Sequence, residues 1–270
     1  MKNVKVKMLR AIMSICVISL IMIMWNCSDS TSPESAQGQI MITMVDSPAD
    51  YDEINIAVTR VEVHRTDADS TNGWIVINNN AAVYDLLTLT NGASVVLGDN
   101  YLDAGHYSQI RLIIGTGSNI VVNGITHSLD TPGGIESGVK LNHAFEIEAG
   151  LVYELLLDFD AGHSIIQTGA GQYKLKPVIR VVPVVISGTI SGSINPISSL
   201  ATVFAINGTD TVSTFADITT GSFKLMALIQ GTYTVNIVPA NTTYKDSTIT
   251  NIQVIAEQNT DLAAINLSLR

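Results

Sequence analysis

The segment LVYELLLDF at residues 151–159 predicts a strand of a packed β-sheet. Apolar side chains occupy its odd positions, from Leu151 to Phe159, whereas the even positions include Glu154 and Asp158. Successive side chains of a strand point to opposite faces of a sheet, so this period of two predicts one buried face and one polar face. This pattern favours an all-β fold.

The segments before it repeat this period. Residues 40–44 and 107–114 alternate in the same way, and residues 54–63 alternate with a one-residue change of phase near Thr59-Arg60 that predicts a β-bulge. Residues 83–89 predict a further short strand, with one or two helical turns there as the alternative. Residues 173–182 predict a last strand, with Pro177 at an edge or bulge. Strands at intervals of about 8–12 residues, separated by turn residues, indicate a β-sandwich or a barrel.

A second series of strand patterns follows residues 183–187 and includes ATVFAIN, QGTYTVNIVP and ITNIQVIAEQN. Tyr107 and Tyr233 each open an alternating strand, where a tyrosine hydroxyl commonly braces a loop. We predict two antiparallel Greek-key β-sandwich domains in tandem, at residues 38–183 and 184–270.

An apolar run at residues 8–26 precedes both domains. Lys2, Lys5 and Lys7 lie before it, and it contains no acidic residue, as is typical of an exported protein's signal segment. Residues 1–26 are therefore predicted to be a cleaved signal, and residues 27–37 a flexible, polar tether.

Composition excludes one class of partner and limits the chemistry. The chain carries a formal charge of −10, which repels phosphate backbones, so we expect no nucleic-acid partner. Its two cysteines are Cys16, inside the apolar run, and Cys27, at the end of it. The predicted domains therefore contain no thiol for a disulfide, a zinc site or a nucleophile.

An apolar run ending in Cys27, followed by Ser28, resembles a bacterial lipoprotein signal. The resemblance implies that the thiol of Cys27 is lipidated, that Cys27 becomes the new N-terminus, and that the protein is held in the cell envelope at the outer membrane. Trp25 and Asn26 are larger than the residues usual before that cysteine. Two alternatives remain open, namely an uncleaved membrane anchor and ordinary signal cleavage nearby.

Six segments of the first predicted domain resemble the bacterial lipoprotein family named domain of unknown function 4382. They are MVDSPADYDEINIAVTRVEVHR, VYDLLTLTNG, AGHYSQIRLII, GIESGVKLN, LLLDFDAGHSI and YKLKPVIRVV, in this order along the chain. The resemblance implies an exported, lipid-anchored, all-β module and brings no catalytic residue with it.

The second predicted domain is similar to the carboxypeptidase-regulatory or transthyretin-like β-sandwich, which is grouped with carbohydrate-binding-like folds. Residues 220–223 (TGSF) and 231–235 (GTYTV) carry most of this similarity. It implies a polysaccharide ligand only by analogy of fold.

Two acidic loops are the candidate metal sites. Asp67 and Asp69 precede Gly73, but a calcium loop of the EF-hand type has its glycine one position earlier and a glutamate where Asn78 stands. A polar hairpin loop is the alternative. Around the turn after residue 45, Asp46, Asp50 and Asp52 could gather a calcium ion, or could instead accept main-chain hydrogen bonds in a solvated loop.

No catalytic or cofactor-binding motif occurs, so we predict a non-enzymatic binding or structural module that needs no cofactor. Its expected partners are the membrane, through the lipid, and a polysaccharide or an envelope protein. Trp74, Tyr84, Tyr101 and Tyr107 are the aromatic residues that could stack on sugar rings. The alternative functions are a calcium-dependent adhesive module and a glycan-acting enzyme with an unrecognised site.

Overall fold

A computed structural model describes residues 36–69, 72–133, 137–169 and 171–270 of the chain. The predicted signal, Cys27 and the tether up to residue 35 lie outside these residues. Gln37–Arg270 form one compact unit, whose described residues make up twenty strands, one short helix (α1, Ala161–Ser164) and three 3-10 turns. The all-β prediction is confirmed.

Sheet I has four strands in the order β13-β10-β1-β5. Their bounds are β1 Gln37–Ser47, β5 Val95–Asp103, β10 Val152–Asp160 and β13 Ile179–Pro183. The strands β1 and β10 are parallel, whereas β5 and β13 run antiparallel to their neighbours. The segment at residues 151–159 therefore lies in the middle of a sheet of mixed direction.

Sheet II has nine strands, seven of them in the order β11-β12-β8-β7-β2-β6-β9, with β3 and β4 both pairing with β2. Their bounds are β2 Glu53–Arg65, β3 Trp74–Asn78, β4 Ala82–Asp85, β6 Gly105–Ile114, β7 Asn119–Val122, β8 Ile125–Asp130, β9 Val139–Ile147, β11 Ile165–Gln167 and β12 Tyr173–Leu175. The strand predicted at residues 83–89 ends at Asp85, and a 3-10 turn at Leu86–Leu89 replaces its second half, which is the alternative that the sequence left open.

Sheets I and II bury a common apolar core. The inward side chains of β10, Leu155, Leu157 and Phe159, are at most 1% exposed and belong to the same buried cluster as Ile54 and Ile56 of β2. The register of β2 against β6 shifts between Val58 and Arg60, which confirms the predicted bulge.

The predicted strand at residues 173–182 is wrong, since the chain forms β12 in sheet II and β13 in sheet I. Pro177 lies between the two strands. It has no N–H to donate to a ladder, and its neighbours Lys176 and Val178 donate instead to the C=O and Oγ of Ser164. The proline therefore marks the crossing from one sheet to the other.

The remaining strands form two smaller sheets. Sheet III has the order β17-β14-β20, and sheet IV has the order β16-β15-β18-β19. Their bounds are β14 Ser187–Asn195, β15 Ala201–Asn207, β16 Asp210–Phe215, β17 Ser222–Ile229, β18 Gly231–Pro239, β19 Ser247–Val254 and β20 Asn259–Asn266. The two sheets share a second buried core that contains Val203, Leu225 and Val235.

Two tyrosines brace the starts of β6 and β18, as the sequence predicts. The hydroxyl of Tyr107 donates to the C=O of Asp103 at 2.9 Å, and that of Tyr233 donates to the C=O of Ile229 at 2.8 Å. Both bonds reach back four residues across a glycine with positive φ, Gly105 or Gly231. Each bond fixes the corner at which one strand ends and the next begins.

The predicted boundary at residue 184 falls on a 3-10 turn at Val184–Ile186, between β13 and β14. Contacts continue across this point, because Val45, Leu156 and Val182 of sheet I are buried together with Ala227 of sheet III. The division into two domains remains a prediction.

Asn91 forms a second connection between sheets I–II and sheet III. It lies in the turn after Leu86–Leu89, and its side chain accepts a hydrogen bond from the N–H of Lys224 at 2.7 Å and donates to the C=O of Ser222 at 3.3 Å. The amide therefore pairs with the edge of β17 as a neighbouring strand would. Its own N–H donates to Oγ1 of Thr214 at 3.0 Å.

Within the described ranges, no helix has both the length and the apolar character needed to cross a membrane.

Candidate functional site

An acidic cavity of about 450 Å³ lies beside the start of β10. Its carboxylates come from three parts of the chain: Glu146 and Glu148 around the end of β9, Glu154 in β10, and Glu257 between β19 and β20. Cavities of this size accommodate small molecules or short peptide segments. None of the described residues that line it is basic.

The same cavity has an apolar wall that solvent reaches. Leu151, Val152 and Val185 are 57%, 52% and 59% exposed, respectively. Apolar side chains exposed together within a concavity are typical of binding surfaces, whereas single exposed apolar residues are not informative. The site therefore combines negative charge with apolar surface.

A second cavity of about 410 Å³ continues from the first and shares Glu154, Val184 and Glu257 with it. It extends along the outer face of sheet I, past Leu156, to Met226 of sheet III. We call the two together the junction groove, because it lies where sheet I meets the strands that follow residue 184.

Local chain geometry forms this groove. The strand β13 ends at Pro183, and the chain then turns through Val184–Ile186 instead of continuing beside β10. Gly38 lets β1 pass close to the β9–β10 turn, because a Cβ at this position would lie only 2.2 Å from the C=O of Glu148. Gln37 then accepts a hydrogen bond from the N–H of Gly150 at 2.9 Å.

The structure does not assemble the five candidate metal ligands into a metal site. Among the described residues, no group of three or more His, Cys, Asp or Glu side chains could hold a metal ion. Asp52 instead accepts from the N–H of Gly124 at 2.8 Å, and Asp67 pairs with Arg65 at 2.8 Å. Asp69 accepts from the N–H of Asn72 at 2.8 Å, which closes the hairpin loop, and Asp50 lies exposed in the turn.

Asp46 is buried at the carboxyl end of β1 and is 6% exposed. Its Oδ1 accepts from the N–H of Ala161 at 3.0 Å, whereas its buried Oδ2 has no hydrogen-bond partner among the described residues. Burial raises the pKa of Asp46 to about 9, and the charge of Asp158 adds to the rise. Asp46 is therefore a neutral acid at pH 7, unsuited to binding a cation.

Asp158, two residues before the end of β10, keeps a partner. It is 5% exposed and accepts from Nε of Arg180 at 3.0 Å. Burial raises the pKa of Asp158, and the Arg180 guanidinium opposes that rise. Arg180 also donates to the C=O of Ala227 at 3.3 Å, so this pair contributes to the contact with sheet III.

The four aromatic side chains proposed for sugar stacking do not form one platform. Tyr107 is 0% exposed and stacks on Phe145, whereas Tyr101 is 64% exposed. Tyr84 is half-buried and packs against the first core. Trp74, also half-buried, lies under the guanidinium of Arg111, which is 4.0 Å from its ring centre.

Sequence reasoning missed the junction groove, because its lining comes from segments far apart in the chain. The local signal was the density of carboxylates around one turn, with Glu146, Glu148 and Glu154 within nine residues. The contribution of Glu257 depends on the packing of sheet III against sheet I. No pattern in the sequence predicts that packing.

Comparisons with known proteins give one family match. The family described as "Domain of unknown function (DUF4382)" matches residues 37–177, which include sheet I up to β10, sheet II and three of the four acidic residues that line the junction groove. The chain matches no curated protein.

Several solved structures have weak similarity to the chain. A cohesin–X-dockerin complex from Acetivibrio cellulolyticus is 27% identical over 30% of this chain and 58% of that chain, with a TM-score of 0.25. The minor pilin of Streptococcus agalactiae is 11% identical, over 85% of this chain and 96% of that one, with a TM-score of 0.22. A putative adhesin from Bacteroides ovatus is 11% identical, over 86% and 93%, with a TM-score of 0.26. The chain thus spans little more than half of the first of these, and TM-scores of this size assign no function.

Proposed function

The chain belongs to the DUF4382 family, and from the site described above we propose that it is an exported, non-enzymatic binding module that captures a partner protein in its junction groove. The family carries no assigned activity, so the proposal depends on the geometry of this chain. The junction groove is the observation that carries it.

Two properties of the groove support a binding role. Its two cavities, about 450 and 410 Å³, form one extended surface instead of a closed pocket around reacting groups. It also exposes Leu151, Val152 and Val185 beside four carboxylates, and such a mixture of apolar and charged surface is typical of protein interfaces.

We further propose that the module is held at the outer membrane by a lipid on Cys27, after cleavage of residues 1–26. The apolar run and its position before Cys27 support this anchor. Intact-mass measurement of the chain purified from the membrane fraction tests it. The expected mass corresponds to a chain that begins at Cys27 and carries acyl groups, and a mature chain without acyl groups would refute the anchor.

Site-specific photo-crosslinking in cells tests the binding role. A photoreactive amino acid at Val185, in the groove, is expected to yield a discrete crosslinked product in the cell envelope. The matched control places the same amino acid at Ile218, which is 73% exposed and does not line the groove. Equal products at the two positions, or none at Val185, would contradict the proposal.

A partner protein is favoured over a polysaccharide because the aromatic side chains that could stack on sugars are dispersed. The polysaccharide ligand derives from the resemblance of residues 184–270 to carbohydrate-binding-like folds. No observation on the described residues favours it, or favours the calcium-dependent alternative.

A further inference from the structure

We propose that the junction groove takes an extended, positively charged peptide segment, which pairs as an added strand with β10 at Val152. This inference rests on the proposed function, since it names the class of partner for the same groove. Three features of the groove carry it: an open strand edge, the charge of the walls, and the alternation of side chains along a strand.

The open edge follows from the register of β10. On one side β10 pairs with β1, and the C=O of Leu151 accepts from the N–H of Gln39 at 2.9 Å. On the other side the N–H of Asp160 donates to the C=O of Val178 at 2.9 Å. Main-chain groups of successive residues alternate between the two sides of a strand, so the even-numbered residues of β10 face β13.

The strand β13 stops before it reaches the start of β10. Its last registered pair is Leu155 with Pro183, and the chain then turns away at Val184–Ile186. Val152 lies three residues beyond that pair with its N–H and C=O on the same side. Among the described residues, no strand pairs with Val152 there, and an unpaired edge of this kind is a template for an incoming strand.

The charge of the groove selects the kind of strand. Glu154 and Glu257 line both cavities, Glu146 and Glu148 line the first, and Lys224 is the one basic side chain among the described residues that line the second. Four carboxylates against one lysine leave the groove negative, most of all in the first cavity beside Val152, so a segment that carries Lys or Arg complements it and an acidic segment is repelled. Because strand side chains alternate in direction, basic residues at every second position can face these carboxylates while apolar residues face Leu151 and Val185.

A synthetic probe tests this proposal. The probe is an acetylated and amidated nonapeptide of alternating lysine and valine, titrated calorimetrically into the full chain purified in detergent. We expect saturable binding of one peptide per chain that weakens as salt is raised, because exposed charges are screened. The matched peptide with glutamate in place of lysine is expected not to bind.

Two pairs of variants separate charge from strand pairing. Glu154→Gln with Glu257→Gln should weaken binding about fivefold, and Glu53→Gln, at an exposed position in β2 outside the groove, should not change it.

Val152→Pro removes the N–H that faces the open edge, at the first residue of the strand, where proline is tolerated. It should weaken binding about fivefold relative to Val152→Thr, which keeps that N–H.

A modified probe makes the same test without changing the protein. The lysine–valine peptide with N-methylated valines cannot donate main-chain hydrogen bonds from those residues, and we expect it to bind at least about fivefold more weakly. Equal binding by the methylated and unmethylated peptides would overturn strand addition, as would equal binding to Val152→Pro and Val152→Thr.

The outcomes distinguish this inference from the proposed function. If the peptide does not bind while Val185 still crosslinks an envelope protein, the groove binds a partner of other chemistry and this inference is wrong. If the peptide does not bind and Val185 gives no product, both are wrong. Binding of the glutamate peptide would also overturn the choice of a basic strand.

Discussion

At the scale of the residue, Asp46 has a carboxyl group that the fold holds neutral. Its pKa is about 9 in the folded chain and 3.8 in the absence of burial. Above pH 4 the unfolded chain loses this proton while the folded chain keeps it. The contribution of Asp46 to the unfolding free energy therefore falls as pH rises from about 4 to about 9. An ion-paired aspartate has the opposite pH dependence.

Replacing Asp46 by Asn, which is neutral at every pH, tests this effect. The stability of Asp46→Asn relative to the natural chain should rise between pH 5 and pH 8, by on the order of 1 kcal/mol per pH unit. Thermal unfolding at four pH values in this range measures it. A difference between the two chains that stays constant with pH would show that Asp46 is ionised in the folded chain.

The side chain of Asn91 pairs with the edge of β17 in place of a neighbouring strand. It adopts a left-handed backbone conformation, with φ of 54°, and makes three hydrogen bonds to residues 214, 222 and 224. Asparagine tolerates this conformation better than most residues do. Position 91 therefore requires a residue that tolerates positive φ and that carries a side-chain amide.

Substitutions at Asn91 separate these two needs. Asn91→Gly keeps the backbone conformation and removes the amide, and it should cost about 1–2 kcal/mol of unfolding free energy. Asn91→Ala should cost about 1 kcal/mol more, because alanine is strained at positive φ. Urea unfolding gives both values, and hydrogen exchange at residues 222–224 should be faster in both variants. Unchanged exchange there would show that the Asn91 side chain does not hold the edge of β17.

At the scale of the element, two tyrosine hydroxyls hold two strand corners in the same way. The Tyr107 and Tyr233 side chains are 0% and 5% exposed, and burial raises the pKa of both. Each donates to a C=O four residues earlier. Sheets II and IV thus use the same device at the starts of β6 and β18.

Removing each hydroxyl tests the importance of the corner. Tyr107→Phe and Tyr233→Phe should each lower the unfolding free energy by about 1–1.5 kcal/mol, because a carbonyl loses its donor. Tyr101→Phe is the control, since Tyr101 is 64% exposed, and it should change stability by less than about 0.5 kcal/mol. Chemical denaturation of the three variants measures the difference, and equal effects at all three positions would exclude a bracing role.

Local patterns predicted several elements correctly. The bulge at Thr59 and both tyrosine corners depend on neighbouring residues, so the sequence contains their signal. The division of residues 173–182 between two sheets was not predicted, because their alternation continues through Pro177 and does not show where one strand ends. The N–H groups on both sides of Pro177 donate to Ser164, a contact with another segment that the pattern of residues 173–182 does not contain.

The strand β10 shows what local patterns omit. Its alternation predicts one polar face, but Leu156 and Asp158 on that face are 9% and 5% exposed. Sheet III covers them through Ala227, so the long run of leucines is buried on both sides. Sheet III does not extend over β10 as far as Glu154, and this leaves the junction groove open. Its position depends on packing between distant segments, which the period of a single strand does not contain.

At the scale of the whole molecule, the contact around Ala227 joins sheets I and II to sheets III and IV. Ala227 is 0% exposed, packs with Val45, Leu156 and Val182, and accepts a hydrogen bond from Arg180. Because this contact is apolar and Asn91 adds hydrogen bonds beside it, we expect the two pairs of sheets to unfold together.

A charge at this contact should separate the two pairs of sheets. Ala227→Glu places a carboxylate among apolar side chains, and we expect the single thermal transition of the natural chain to become two. Ala227→Gly is the control, since φ is 56° at this position and glycine adopts it without strain. Differential scanning calorimetry distinguishes the two results. A single transition in Ala227→Glu would mean that other contacts couple the sheets.

The hydrogen bond between Gln37 and Gly150 bears on how far the junction groove can lie from the membrane. Gly150 precedes Leu151 in the groove wall, so the chain enters its first strand beside the groove. With the proposed lipid on Cys27, ten residue steps connect the bilayer surface to that entry, and a fully extended chain of this length spans about 35 Å. The groove would then sample only a thin layer next to the membrane, and its partner must enter that layer. Tether length would therefore set which envelope proteins are accessible, independently of affinity.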